Sequence, residues 1–570
     1  MTALREPQRP EEGAQETGDL LERVRAWHAQ DPDAETREEL ERLITDAGAG
    51  DSAAVTELRD RFDSRLAFGT AGLRGRIAAG PNRMNRVLVA QAAAGFAAFL
   101  LAREEAPSVV IGYDGRKNSR VFATDTAELM AGAGVRAILL PRMLPTPVLA
   151  FAVRHLGMSA GVMVTASHNP PDDNGYKVYL GGDDQGAQIV PPADAHIEAE
   201  ILRVAEGSIA DLPRSTEYET AGDDVVDEYV RRTAQLAHPP KATVDFVYTA
   251  MHGVGSETAR RVFAAAGFGT PTVVAEQDAP DASFPTVAFP NPEEPGALDL
   301  AFETATRAGA ELVIANDPDA DRLAVAIPSA SGWRRLSGNE VGLLLGWRAA
   351  ERVRASGSDG TLAASLVSSP GLREVARKSG LDYVDTLTGF KWISRAGGLA
   401  FGYEEALGYL VDPGKVRDKD GISAALDFLA LTAELKAEGR TVDDRLREFA
   451  ARFGAFASAQ ISVRVTDLGE IVRVMSSLRE SPPDAVGPVR VEQVDDFSDG
   501  FGSFPAADIL RIWLVGGSRV ILRPSGTEPK LKVYIDASVA EGSAEERMDA
   551  AQALVDDLES GMRTLLEQFS

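Results

Sequence analysis

The chain has 570 residues, 44% of them hydrophobic and 25% charged, with 86 acidic against 59 basic side chains and a formal net charge of −27. That length exceeds what one hydrophobic core supports and, at roughly 150 residues per domain, points to about four domains. The ordinary apolar content excludes global disorder, the negative charge argues against nucleic acid and anionic membranes as partners, and the lack of cysteine excludes disulfides, thiolate chemistry and cysteine-based zinc sites.

Residues 1–18 are polar and rich in Pro and Glu, and read as disordered. They lack the basic-then-apolar pattern of a secretory signal, so a cytoplasmic protein is expected. Leu20-Leu21, Val24 and Trp27, then Leu40, Leu43 and Ile44, fall at helical spacing and predict a helical extension over residues 1–60. The longest weakly polar stretch, 87–102, is interrupted by Gln91 and is shorter than the ~20 apolar residues of a membrane span, which predicts a buried helix.

From Val109-Val110-Ile111 onward, short β-branched runs alternate with longer helical stretches, at Ala137-Ile138-Leu139-Leu140, Phe246-Val247-Tyr248, Leu312-Val313-Ile314 and 363–367. Such alternation predicts an α/β protein with parallel sheets. A linker at 206–224 and turn-rich joins at 329–338 and 453–458 divide the chain into units 61–222, 223–335, 336–457 and 458–570. After about residue 460 the strands are more closely spaced (460–465, 489–494, 509–515, 519–522, 532–535), which suits an α+β domain. No fixed-period repeat is present.

Three constellations carry chemistry. Thr165-Ala166-Ser167-His168-Asn169-Pro170 follows the apolar run Gly161-Val162-Met163-Val164, so Ser167 sits where the chain leaves a sheet. Pro170-Pro171 end any strand and present the hydroxyl rather than burying it. His168 adjoins Ser167 in sequence, so the two side chains are expected to diverge. No Gly-x-Ser-x-Gly elbow surrounds the serine, which disfavours a Ser-His-Asp hydrolase. Asp317, Asp319 and Asp321 alternate after Leu312-Val313-Ile314-Ala315, and extended chain would put the three carboxylates on one side. Such a cluster repels itself unless a hard cation such as Mg²⁺ neutralises it. An EF-hand is excluded, because Arg322 and Pro328 stand where that loop needs Gly and Glu. Arg523-Pro524-Ser525-Gly526-Thr527 follows the strand Val520-Ile521-Leu522 and combines a guanidinium, two hydroxyls and a flexible glycine, a set that can wrap a phosphate.

Together with Gly402-Tyr403-Glu404-Glu405-Ala406-Leu407-Gly408, these loops resemble, in order and over nearly the whole chain, the four signature loops of the α-D-phosphohexomutase family. Phe68-Gly69-Thr70-Ala71-Gly72-Leu73-Arg74-Gly75 and the helical extension are similar to its larger phosphoglucomutase/phosphopentomutase-like branch. The resemblance implies three α/β domains with mainly parallel mixed sheets plus a smaller C-terminal α+β domain around a central cleft. It implies Ser167 as a phosphoserine, and one Mg²⁺ per chain held by Asp317, Asp319, Asp321 and a Ser167 phosphoryl oxygen. Arg74 and Arg322 would flank the transferring group, while Lys177, Lys419 or His168 would handle the proton. Glu404, Thr388, Gly389 and Lys391 would line the sugar site, and Arg523, Ser525, Gly526 and Thr527 would hold the non-reacting phosphate. Asp114, Arg116 and His252 are further candidates, each also explicable as an ordinary strand-end surface residue. Ala406 replaces a serine common in the family, so one sugar contact is missing.

The expected reaction is interconversion of a hexose 1-phosphate and 6-phosphate, glucose first, with glucose 1,6-bisphosphate or an equivalent bisphosphosugar as activator. Phosphopentomutase and phosphomannomutase activities, a metal-dependent sugar phosphatase and a non-catalytic sugar-phosphate sensor are the competing readings. The partner is a small phosphosugar, not nucleic acid or membrane, and oligomeric state is not legible.

Overall fold

Three of the four sheets repeat one device, in which a parallel strand runs into a short loop and returns as its antiparallel neighbour. The computed structural model describes residues 10–465, 468–524 and 530–568. In the first unit the strand Ala160–Val164 returns as Asp173–Leu180, with Met163 opposite Lys177. In the second, Leu312–Asn316 returns as Leu323–Ser329. In the third, Leu399–Glu404 returns as Gly408–Leu410. All three turns lie at the carboxyl ends of parallel strands, where α/β sheets open toward ligands.

The first sheet runs Leu73–Arg76, Asp173–Leu180, Ala160–Val164, Ser108–Tyr113, Arg136–Leu139, Glu219–Thr220, and is parallel from the third strand on. Its central strands are continuous apolar runs because helices cover both faces. Val109, Ile111 and Val162 pack on the helices Arg86–Arg103 and Ser119–Gly132, whereas Val110 and Met163 pack on Thr146–His155. The second sheet has Thr272–Val273, Phe246–Thr249 and Leu312–Asn316 in parallel, with Leu323–Ser329 and Gly332–Arg335 antiparallel at one edge. The third places Asp382–Thr386, Thr361–Ser365 and Leu399–Glu404 in parallel beside Gly408–Leu410.

One apolar cluster runs through these three units, from Val110 through Tyr229 and Leu312 to Phe453. The C-terminal sheet is antiparallel throughout and has its own core under the helices Leu468–Glu480 and Ala544–Glu567. It meets the third unit through a small cluster that includes Leu366, Val367, Phe497 and Tyr534, and through Arg519, whose Nη2 donates to Ser368 O.

The N-terminal extension forms the helices Pro10–Gln30, Ala34–Gly48 and Ser52–Phe62, the last two capped by Asp33 and Asp51. The helix therefore begins at Pro10, within the stretch expected to be disordered. Leu20, Val24, Trp27 and Leu40 pack against Val87, Ala90 and Ala93 of the buried helix Arg86–Arg103. Gln91, the residue that interrupts this apolar helix, accepts from Arg65 Nη2 at 2.7 Å, which satisfies its amide oxygen. All three expected joins also carry structure, and 453–458 holds the start of the strand Ala455–Arg464, paired with Lys530–Val539. Residues 206–224 include the edge strand Glu219–Thr220, and 329–338 include the edge strand Gly332–Arg335; a short edge strand needs only one partner and leaves little apolar signal.

Candidate active site

The serine loop is folded against its own strand. Ser167 N donates to Thr165 Oγ1 at 2.8 Å, and Ser167 takes a left-handed φ of 52°, a conformation that is costly for a non-glycine residue. This bend, contrary to expectation, buries Ser167 to 2% exposure. Its Oγ donates to Asp317 Oδ2 at 2.7 Å and lies 3.1 Å from His168 Nδ1, so the adjacent side chains converge instead of diverging.

Asp317, Asp319 and Asp321 are each fully buried, with ligand oxygens within 4.8 Å of one another. They converge through a turn rather than through strand alternation: Ala320 N donates to Asp317 O at 2.8 Å, with Ala320 at φ 56°. Asp319 Oδ2 accepts from Thr146 Oγ1 (2.7 Å) and Lys177 Nζ (2.8 Å), and Asp321 Oδ2 accepts from Lys177 Nζ (3.0 Å) and Lys419 Nζ (2.7 Å). The opposite oxygens, Oδ1 of Asp319 and of Asp321, are buried without hydrogen-bond partners. Burial and the charges of Asp319 and Asp321 push the Asp317 carboxyl well up. Burial acts in the same sense on Asp319 and Asp321, but Lys177 and Lys419 outweigh it and hold both down. Orphaned carboxylate oxygens beside a crowded third carboxylate form a donor set that fits a hard divalent cation such as Mg²⁺.

Cations ring this group. Lys177 reaches it from Asp173–Leu180; on the next strand Arg74, opposite Gly175, donates to Asn169 Oδ1 at 3.1 Å. Burial pushes the Lys419 ammonium down, but Asp321 and Asp418 more than offset it. Asp418 is itself fixed by Tyr179 Oη at 2.9 Å and Gln188 Nε2 at 2.8 Å. Burial, then Arg322 and Arg74, hold the His168 imidazole well below its usual range, which favours the neutral ring.

The third hairpin is tied to the second. Arg322 Nη1 donates to Ala406 O at 2.7 Å, and Leu323 N to Leu407 O at 3.0 Å. Glu404 accepts from Gly389 N at 2.5 Å, and burial and Glu405 raise its carboxyl. Gly389 takes φ 114° where the chain enters the short helix Phe390–Ile393, and Lys391 reaches across to Thr70 Oγ1 of the first unit. Thr388 is half-buried in the same loop. Arg523 stands opposite Lys532 in the C-terminal sheet, whereas Ser525, Gly526 and Thr527 lie outside the described residues.

Comparison with known proteins matches four consecutive descriptions of phosphoglucomutase/phosphomannomutase: alpha/beta/alpha domains I, II and III over residues 65–208, 227–330 and 337–453, and the C-terminal domain over 434–553. The chain belongs to the phosphoglucomutase/phosphomannomutase family. It is thereby a phosphomutase, an intramolecular phosphotransferase of the isomerase class. This mutase is 56% identical over 85% of its length to a probable phosphomannomutase of Haemophilus influenzae, covering 98% of that protein. It is 33% identical to the phosphopentomutase of Homo sapiens, over 94% of both chains, and 33% identical to a phosphoglucomutase of Staphylococcus aureus, over 84% of this chain and 91% of that one. In fold it is similar to the crystal structure of a phosphomannomutase homologue from Thermus thermophilus, with a TM-score of 0.68 at 24% identity over 88% of this chain and 99% of that one.

The mutase brings Ser167, His168, Arg74, Lys177, Lys419, Arg322 and the three aspartates into one polar network. His252 stands apart from that network, paired with Thr286 Oγ1 at 2.8 Å. Sequence reasoning passed over Thr146 and Asp418. Thr146 stands between Pro145 and Pro147 at a helix start, an ordinary capping position, and nothing local reveals an aspartate 173 residues away.

Proposed function

We propose that the mutase moves a phosphoryl group between the 1 and 6 positions of a hexose, glucose or mannose, through a phosphoserine at Ser167 and a bisphosphosugar intermediate. The observation that carries this is the Ser167 Oγ to Asp317 contact, which sets a hydroxyl against three buried carboxylates ringed by cations. The resemblance of the chain to proteins named phosphomannomutase and phosphoglucomutase supports a hexose.

In the forward half-reaction the P–O bond to Ser167 breaks as a bond to a sugar hydroxyl oxygen forms, and the hydroxyl proton passes to a protein base. His168, 3.1 Å from Ser167 Oγ and with its ring held toward the neutral form, is placed to pass a proton to the serine oxygen as it departs, so that the proton lost by the sugar hydroxyl is balanced by the one Ser167 regains. Lys177 and Lys419, fixed by Asp319 and Asp321, and the nearby Arg74 and Arg322 offset charge on the equatorial oxygens. Asp317, Asp319, Asp321 and a Ser167 phosphoryl oxygen would hold Mg²⁺, which when bound supplies further neutralisation of the phosphoryl charge. The bisphosphosugar then turns end for end and its other phosphoryl returns to serine, so catalytic amounts of glucose 1,6-bisphosphate or an equivalent act as activator. Glu404, Lys391, Thr388 and Gly389 would bind the sugar, and the Arg523 loop, with Ser525, Gly526 and Thr527, the distal phosphate. The separate core of the C-terminal unit supports its closing over the ligand to exclude water.

A pentose is the second reading. It is favoured by Ala406, which offers no hydroxyl to a ring substituent, and by full-length similarity to phosphopentomutases. Incubation with a panel of 1-phosphosugars, Mg²⁺ and trace bisphosphate separates the readings by which sugar becomes the 6- or 5-phosphate. Stoichiometric release of inorganic phosphate would replace both with a phosphatase.

A further inference from the structure

Beneath the serine loop lies a guanidinium whose hydrogen bonds all go to backbone carbonyls of that loop and of Asp173, the first residue of the returning strand. Arg116, 4% exposed, donates through Nη2 to Ser167 O and Asn169 O, both at 2.6 Å, and through Nη1 to Pro170 O at 2.7 Å and Asp173 O at 3.1 Å. A planar fork suits converging carbonyls in a way that an ammonium does not. Its carboxylate neighbour Asp114 sits 3.7 Å from Nε without a direct hydrogen bond, and accepts instead from Arg116 N and Ser119 Oγ. Charge balance is thus supplied from one side, where Nε and Asp114 Oδ2 are buried without hydrogen-bond partners, while Nη1 and Nη2 stay committed to the backbone carbonyls.

The face of the guanidinium is met from another unit. The Phe284 ring centroid lies 5.0 Å from Arg116 Cζ, a cation–π distance. Phe284 is 3% exposed, packs with Met251, Val287 and Ala297, and has a φ of 46°, which a bulky residue rarely adopts. Met251 and His252 share that left-handed backbone, at 49° and 59°. His252 O accepts from Asp281 N, and Phe284 N donates to Asp281 O, so the segment is pinned at both ends. Strained residues gathered at one contact persist where surroundings over-determine them, and such gatherings mark functional positions.

We propose that Phe284 is a positioning residue for Ser167. From the second unit, which also carries the aspartate triad, it fixes Arg116, and through Arg116 the carbonyls of the serine loop. The hydroxyl of the first unit is thereby kept in register with Asp317 of the second. The proposal rests on the reading of Ser167 as the phosphoryl carrier. Phe284→Leu keeps an apolar side chain and the same backbone demand while removing the ring; Phe284→Tyr keeps the ring.

The test is steady-state kinetics of the full-length protein with Mg²⁺ and bisphosphosugar, together with amide hydrogen exchange. For Phe284→Leu we expect kcat to fall about tenfold with KM within about twofold. Exchange across 165–169 should accelerate about tenfold while that of Leu312–Asn316 stays unchanged, and Phe284→Tyr should restore both. Arg116→Lys should reproduce the loop exchange. Wild-type kcat and loop exchange in Phe284→Leu, or acceleration spread evenly over the second unit, would overturn the proposal and leave Phe284 a packing residue. If the wild-type protein isomerised no phosphosugar, the mutase reading would fail, and the exchange measurement would still decide whether Phe284 orders the loop.

Discussion

Ser167 Oγ donates to Asp317 Oδ2 at 2.7 Å across 150 residues of sequence and between two sheets. The contact joins the loop that would carry a phosphoryl group to the group that would hold its counter-ion.

Of the three aspartates, Asp317 is the one whose carboxyl is pushed up, by burial first and then by the charges of Asp319 and Asp321. Asp317→Asn should therefore fold at least as stably as the parent without divalent cation. A Mg²⁺ titration followed by thermal unfolding should raise the Tm of the parent by mass action and leave Asp317→Asn nearly unmoved. Its kcat should fall by about 10²-fold or more. An equal rise of Tm in both proteins would place the cation elsewhere.

Ala406 sits on a turn whose carbonyl is pinned by Arg322, so a hydroxyl can be added there on a fixed backbone. Ala406→Ser should change the ratio of kcat/KM between glucose and mannose 1-phosphate by about fivefold, with Tm unaltered. An unchanged ratio across the sugar panel would remove this position from sugar recognition.

Arg519, almost fully buried, donates through Nε to Asp536 Oδ2 at 2.9 Å and through Nη2 to Ser368 O of the third unit. Arg519→Met leaves Asp536 a buried charge without its cation and should cost about 3–5 kcal/mol. The double variant with Asp536→Asn should recover part of that loss, as read by denaturant unfolding. Additive losses would show that the pair is not coupled.

Glu39 ties the helical extension to the segment after Arg74: its Oε1 accepts from Arg61 Nη2 at 2.8 Å and its Oε2 from Ala79 N at 3.0 Å. Burial raises its carboxyl, but these hydrogen bonds and the Arg61 and Arg42 charges outweigh burial and hold it below the ordinary value of 4.5. Between its folded value and 4.5 the unfolded chain binds more protons. The stabilisation is therefore complete above 4.5 and is lost as pH falls through the folded value. Glu39→Gln should lower stability at neutral pH by about 1–2 kcal/mol, and the deficit relative to the parent should shrink in acid. A deficit constant with pH would mean that the carboxylate charge is not involved.

The strands and the acidic triad were legible because continuous apolar runs ending in polar residues report a covered parallel sheet directly. The geometry of the triad was not: Asp-x-Asp-x-Asp fits an extended strand as well as a turn, and the left-handed Ala320 that closes the turn leaves no mark in composition. Burial of Ser167 was illegible because the left-handed bend that turns it inward leaves no mark in composition and Asp317, which it meets there, lies in another unit. Arg116 stood between a site residue and an ordinary strand-end surface residue, and its burial was illegible because its partners are carbonyls, which any sequence supplies. The recurrent hairpin escaped notice because its three copies are unequally spaced and share strand order rather than residues.

The central claim is that Ser167 carries the transferred phosphoryl group, and mass analysis of the protein after brief incubation with Mg²⁺ and a hexose bisphosphate tests it most directly. The account predicts one phosphoryl group on Ser167, discharged onto added hexose monophosphate and absent from Ser167→Ala, which should also lose at least about 10³-fold in turnover. Full isomerase activity in Ser167→Ala, or a phosphoryl group found on another side chain, would contradict it.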